Sequence, residues 1–263
     1  MDKSISAILQ RVDYVEKVAK DLVKDLNPPL PHCFEVYIRN AMLLRIASYV
    51  RRGRDIDIDR LAAKFRKLLS ARDRVEILTR VCNMYRNILT RKPQSIADIG
   101  CGLGLNLNIA KKYIKEDPIL IGIDKDLYFL KILKKLSPDV EVTLADASML
   151  PLRSSSIDIA FCTTVLHELS NLEIIKEMSR TLRDNGTVFL SDIVIRFIPS
   201  WILKAIRILG YRLSLKIEIP YTLNQIVSNL KSNSMIINEL YTYWKLLIIG
   251  IAVLITVKKS QQF

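Results

Sequence analysis

Three carboxylates and a glycine-rich turn are spaced as a nucleoside-sized ligand would need them. Asp98 sits in the apolar run Ile96-Ala97-Asp98-Ile99, which gives way to Gly100-Cys101-Gly102-Leu103-Gly104 and then to a helical pattern from Leu105. A turn built on glycine lets a ligand approach the main chain closely, and the helix start behind it offers unpaired N–H groups and a positive dipole end. Asp124 closes the next apolar run, Ile121-Gly122-Ile123, about twenty residues past the turn. A carboxylate there can accept both hydroxyls of a ribose, which suits a nicotinamide dinucleotide and a simple nucleoside equally. Asp146, with Ala147 beside it, follows a third run, Val142-Thr143-Leu144. An acid at that point can accept from the exocyclic amine of an adenine, and it tips the balance towards an adenosine-type ligand.

These groups need strands to carry them. Short apolar runs at Ile96–Ile99, Ile119–Ile123, Val140–Leu144, Ile157–Cys162, Gly186–Ser191, Met235–Tyr241 and Ile251–Val257 alternate with helical patterns at Leu105–Lys115, Leu127–Leu136, Ala147–Leu150 and Leu172–Leu182. Alternation of this kind predicts an α/β fold, a doubly wound and mostly parallel sheet of seven strands with helices on both faces. The fourth run leads into Thr163-Thr164-Val165-Leu166-His167-Glu168, which brings the two side chains best suited to move a proton. The alternative for that pair is the start of the next helix, with Glu168 complementing its dipole. A further stripe, Ile198, Trp201, Ile202, Ala205, Ile206 and Leu209, predicts one helix that either packs on the sheet or covers an apolar acceptor.

Residues 1–92 have a different rhythm. Ile5, Ile8, Val12, Val15, Ala19, Leu22 and Leu26 recur at helical spacing and predict a single helix over 4–26, which Pro28, Pro29 and Pro31 close. Second and third helices follow over 34–51, ended by Gly53, and from about Leu61, where Asp55-Ile56-Asp57-Ile58-Asp59 supplies carboxylates to the helix start or forms a short strand. Ser70 with Asp73 resembles a capping box for a fourth helix running through Tyr85 to Leu89. The chain therefore divides into a small, all-helical domain (1–92) and an α/β domain (93–263).

Charge separates the two parts as well. The sequence has 40 Lys+Arg against 27 Asp+Glu, a net +13, and the span 39–91 alone holds 14 basic against 5 acidic side chains. A face of that sign attracts phosphate-bearing partners, with a merely solvated helical surface as the alternative. Cys33, Cys82, Cys101 and Cys162 form no Cys-x-x-Cys pair and only two histidines accompany them, so neither a zinc site nor a disulfide framework is expected. No apolar run reaches the roughly 18 residues that span a bilayer, and no secretory leader is apparent; a reducing cytoplasm is the expectation.

In order and distance, these elements resemble the class I S-adenosylmethionine-dependent methyltransferase family, nearest its small-substrate "type 11" branch, over about residues 93–258. The resemblance implies a Rossmann-like methyltransferase sheet with S-adenosyl-L-methionine as cofactor. Asp98 and the turn Gly100, Cys101, Gly102 and Gly104 would hold the methionine portion, Asp124 with Lys125 the ribose, and Asp146 with Ala147 the adenine. Thr163 and Leu166 would line the floor beside the sulfonium, and His167 or Glu168 would act as base if the acceptor must lose a proton. The helical part resembles the domain preceding the catalytic fold in aminoglycoside-resistance 16S ribosomal RNA methyltransferases, through Ser70-Ala71-Arg72-Asp73-Arg74-Val75. The catalytic half departs from that family, which lacks this glycine turn and the Val165–Glu168 run. Structured RNA docked through Arg72 and Arg74 is the first acceptor expected. A small or lipid-like acceptor under Trp201 is the second, and a non-catalytic RNA-binding relative the third reading.

Overall fold

The computed structural model describes residues 3–24, 33–70, 72–195, 201–202, 220–244 and 249–258. Five helices come first: α1 (Lys3–Leu9), α2 (Val12–Lys24), α3 (Cys33–Arg51), α4 (Ile58–Leu69) and α5 (Arg72–Leu89). Strand and helix then alternate through β1 (Ser95–Ile99), α6 (Leu105–Tyr113), β2 (Ile119–Asp124), α7 (Leu127–Leu136), β3 (Glu141–Leu144), β4 (Ile157–Thr163), α8 (Glu173–Thr181) and β5 (Leu182–Ile195). The two-residue β6 (Tyr221–Thr222), α9 (Leu223–Ser232), β7 (Met235–Trp244) and β8 (Ile249–Lys258) complete the order. Two compact units result, one joining Met1–Pro93 to Cys101–Leu144, the other joining Gln94–Gly100 to Ala145–Phe263.

In the first unit Ile8, Val15, Ala19, Phe34, Met42, Leu43 and Ile46 are fully buried between the helices. Each large apolar side chain so buried stabilises the unit by about 1.5–3 kcal/mol. The helix expected over 4–26 is broken at Gln10–Arg11, because α1 packs on α3 and α7 while α2 packs on α3 and α4. A periodic stripe without Pro or Gly gives no sign of such a change of partner. Asp57 caps α4 by accepting from the Asp59 and Arg60 N–H groups, which settles the acidic stretch as a helix start. Ser70 does not begin a capping box: its N–H donates to the Arg66 carbonyl and its hydroxyl to that of Lys67, so it closes α4. Cys33 and Cys82 are joined as a disulfide with their Cα atoms 5.7 Å apart, a correction to the expectation of none. Their separation of 49 residues matches no local motif, and only the packing of α3 on α5 brings them together. β2 and β3 pair in parallel, with Asp124 opposite Leu144.

In the second unit the strand order is β1-β4-β5-β8-β7, with β6 added to β5. β1, β4 and β5 are parallel, while β8 runs antiparallel to both β5 and β7. Phe161 and Phe189 meet at the centre with ring centroids 5.8 Å apart. The segment expected as a helix at Ala147–Leu150 is a turn, closed by Asp146, whose Oδ1 accepts from the Ser148 N–H and hydroxyl. The stripe around Trp201 lies outside the described residues except for Trp201 and Ile202. No helix among the described residues is long and apolar enough to cross a membrane.

Asp158 secures the entry to this sheet. Its carboxylate accepts from the Gln94 and Ser95 N–H groups, the Ser95 hydroxyl and Arg183, all at 2.9 Å. Partial burial pushes the carboxyl up, but these donors outweigh it and hold it below the ordinary aspartate range. A depressed folded value means stability that is present above the unfolded pKa of about 3.9 and is lost as the pH falls below that towards and through the folded value. Asp158→Asn should therefore lower urea stability at pH 7 by about 1–3 kcal/mol and flatten its fall below about pH 4. Equal losses at pH 7 and pH 3 would exclude this role.

Candidate functional site

Most of the glycine turn belongs to the first unit, where Asp124 organises it. The Gly102 N–H donates to Asp124 Oδ2 at 2.8 Å and the Asp126 N–H to Oδ1 at 2.9 Å, so both carboxylate oxygens are aimed by main chain. A carboxylate offers about four acceptor positions, and these bonds take two of them. The turn is tied to β2 by the Cys101 N–H on the Ile123 carbonyl (3.0 Å) and folded on itself by the Gly104 N–H on the Cys101 carbonyl (2.7 Å). Gly104 is the N-cap of α6 with φ 73°, and it brings no side chain to the first turn's N–H groups. Cys101 is buried against Gly122, where even a methyl group would stand 3.0 Å from its sulfur; its small size is what the position requires.

The helical segment reaches this turn directly. Asn40 of α3 donates from Nδ2 to the Leu103 carbonyl at 3.3 Å, and Tyr85 of α5 bonds to Asn106 of α6. Arg51 pairs with Asp126 at 2.5 Å and lies 5.1 Å from the Tyr128 ring centroid. Asp126 in turn caps α7 through the Tyr128 N–H. Leu44, 42% exposed, stands 4.0 Å from where a methyl group on Gly102 would lie. Lys125 is exposed beside Asp124.

In the second unit Asp98 is wholly buried in β1, opposite Phe161. Gly100 has φ 70° and abuts Val165, whose Cγ2 would be 2.3 Å from an added Cβ. Thr163 ends β4, Leu166 is buried, and Leu166–Glu168 form a 3-10 turn. His167 and Glu168 therefore do not open α8, which starts at Glu173. Glu168 is exposed, and its N–H closes the turn on the Val165 carbonyl. Asp146 is exposed and Ala147 half-buried. Cys162 is fully buried, and burial, with the charges of Asp192 and Asp98, pushes its thiol well up, which leaves it an inert core residue.

The residue that gathers this end of the sheet is Asp192. It lies one position past the expected end of the fifth strand, which β8 extends to Ile195 by antiparallel pairing. Its Oδ2 accepts from the Val165 and Leu166 N–H groups at 2.8 and 2.6 Å, and its Oδ1 meets His167 Nδ1 at 2.7 Å. The expected residues thus form two clusters. Cys101, Gly102, Gly104, Asp124 and Lys125 make one, while Gly100, Leu166 and His167, with Thr163 ending the strand beside them, make the other. Arg72 and Arg74 open α5, and Trp201 is 70% exposed.

Residues 97–190 match the methyltransferase-domain family. They are a class I S-adenosylmethionine-dependent methyltransferase domain. The match thus starts one residue before Asp98 and stops two before Asp192, and S-adenosyl-L-methionine is the cofactor of this class. The residues present fit that group: a cap glycine without a side chain, a carboxylate aimed by main chain and a small buried residue in the turn. An uncharacterized methyltransferase of Schizosaccharomyces pombe is 33% identical over 97 residues, 36% of this chain and 38% of that protein. The ubiquinone/menaquinone biosynthesis C-methyltransferase UbiE of Campylobacter jejuni is 28% identical over 134 residues, 49% of this chain and 57% of that one. The match therefore spans about two fifths to under three fifths of these curated relatives. Among solved structures, a SAM-dependent methyltransferase of Methanosarcina mazei superposes with a TM-score of 0.52 at 21% identity, covering 68% of this chain and 98% of the other. That likeness is one of fold.

Proposed function

We propose that this chain transfers the methyl group of S-adenosyl-L-methionine to a small acceptor that must shed a proton. The observation that carries this reading is His167, held by the buried carboxylate of Asp192 at the end of the sheet. The cofactor supplies a methyl carbon that is already electrophilic, so holding the acceptor in line provides most of the acceleration. With the cofactor held there, the acceptor's electron pair would form the new bond to that carbon while the carbon–sulfur bond breaks, the sulfur keeping the pair. A carbon or hydroxyl acceptor must also give up its proton, and a placed base contributes about 10²–10⁴-fold to such a step. His167 fits that task better than Glu168, which is exposed.

Asp98 and the turn residues Gly100, Cys101, Gly102 and Gly104 would hold the methionine portion, Asp124 and Lys125 the ribose, Asp146 and Ala147 the adenine. Thr163 and Leu166 would floor the sulfonium. The helical segment 1–92 acts in this reading as a module built onto the methyltransferase domain 93–263, with Asn40 and Leu44 its points of approach to the glycine turn. The UbiE relative's name, a C-methyltransferase of quinone biosynthesis, supports a carbon acceptor.

Incubating the chain with methyl-labelled cofactor and either a metabolite and lipid extract or total RNA should place label in the first. His167→Gln should lower that transfer by about 100-fold. Label confined to RNA would refute the acceptor class, and cofactor binding with no label anywhere would point to a non-catalytic relative. RNA keeps a specific observation in its favour, the 14 basic against 5 acidic side chains over 39–91. Within the fold Arg39 pairs with Glu16 and Arg51 with Asp126. If RNA is the acceptor, its affinity should fall steeply with salt, and Arg72→Ala with Arg74→Ala should reduce that slope by about one to two units.

A further inference from the structure

We infer that Asp192 is the positioning residue of this site: it holds the His167 imidazole with a proton on Nδ1, so that Nε2 is the nitrogen that takes the acceptor's proton. The inference deepens the proposed function and rests on it. Asp192 lies two residues past the family match and is 1% exposed. Three of its contacts are main-chain N–H groups, Val165 and Leu166 on Oδ2 and Ile193 on Oδ1 at 2.7 Å. Such groups only donate, so the carboxylate accepts at each of them, through both of its oxygens.

The fourth contact, His167 Nδ1 at 2.7 Å from Oδ1, follows from the other three. An ionised carboxylate has no proton to give, and an unprotonated Nδ1 would turn its lone pair on an oxygen at hydrogen-bond distance. Nδ1 must therefore carry the proton, which leaves proton transfer to Nε2. After transfer the imidazolium keeps Nδ1–H on Asp192, whose charge offsets the new one, and Nε2 later releases the proton to water. The frame is stiff, because β5 is paired on one side with β4 at Ser191–Thr163 and on the other with β8 at Asp192–Ala252. One carboxylate thus fixes both the main chain of the loop at Val165–Leu166 and the direction of the ring.

Because His32 and His167 are the two histidines of the chain, imidazole nitrogen NMR on the ¹⁵N-labelled full-length protein, with His32→Gln for assignment, reads the tautomer directly. With the ring neutral and S-adenosylhomocysteine bound, His167 should carry its proton on Nδ1. Asp192→Asn, whose amide can donate to Nδ1, should move the proton to Nε2. It should slow label transfer to the metabolite extract by about 100-fold or more, as tautomer inversion does in the serine-protease triad. S-adenosylhomocysteine affinity should change by less than about threefold, since the carboxylate acts through the histidine. A proton on Nε2 in the wild-type chain overturns the assignment whether or not the variant folds, and so does transfer by Asp192→Asn at the wild-type rate. Failure of S-adenosylhomocysteine to bind the wild-type chain overturns the proposed function instead.

Discussion

Gly100→Ala should unfold about 10 °C below the wild-type chain in a thermal melt, a loss of about 3 kcal/mol at 2–4 °C per kcal/mol. Two penalties add. The first is backbone: Gly100 has φ 70°, a region that costs a residue with a Cβ about 1–2 kcal/mol. The second is steric, because the new Cβ would stand 2.3 Å from Val165 Cγ2 and within 3.4 Å of its Cγ1 and Cβ. No rotation of so short a branched side chain clears all three, and the Val165 main chain is tied to Asp192. Overpacking of this kind costs about 1–3 kcal/mol. Gly53 separates the two effects, since it has φ 67° with nothing within 4 Å of an added Cβ. Gly53→Ala should cost about 1 kcal/mol, the backbone share alone. Equal losses in the two variants would show that Val165 yields without cost, and that the loop after β4 is softer than its hydrogen bonds imply.

The same loop shows where the sequence is informative and where it falls silent. The glycine turn and the acids closing β1 and β2 are legible because each depends on neighbours within a few residues: an apolar run, a glycine, a helix start. Asp124 illustrates this, since the partners that aim it, Gly102 and Asp126, belong to the two turns that the sequence marks. Asp192 depends on pairing from far along the chain. Read alone, Gly186–Ser191 is a complete strand, and β8, some sixty residues on, with the short β6 carries it to Ile195 and brings Asp192 beneath His167. The break between α1 and α2 and the Cys33–Cys82 bond have the same origin, a choice of packing partner with no local signature. α9 is a different case, for Thr222 and Gln225 form a capping box whose whole signal lies within four residues of the sequence.

Asp124→Ala should weaken S-adenosylhomocysteine binding by about 100- to 1,000-fold in calorimetry, which corresponds to about 2.7–4 kcal/mol. The proposed ribose contacts are hydrogen bonds to a charged acceptor, about 1.5–3 kcal/mol each, and alanine removes them together. It also strips the Gly102 and Asp126 N–H groups of their acceptor, so the turn that should receive the methionine portion keeps only its main-chain tie to β2, the Cys101 N–H on the Ile123 carbonyl. Asparagine would not be a silent replacement. Both carboxylate oxygens accept main-chain N–H groups, and an amide can offer an oxygen to only one while facing the other with its own N–H. Asp124→Asn should therefore bind weakly as well, despite its matched size. Asp126→Ala provides the contrast, because Asp126 caps α7 and pairs with Arg51 at the same turn. It should lower stability by about 1–2 kcal/mol through the lost cap while S-adenosylhomocysteine affinity falls by less than about tenfold. If both alanine variants lose affinity equally, the effect is collapse of the turn, and Asp124 is not the ribose ligand.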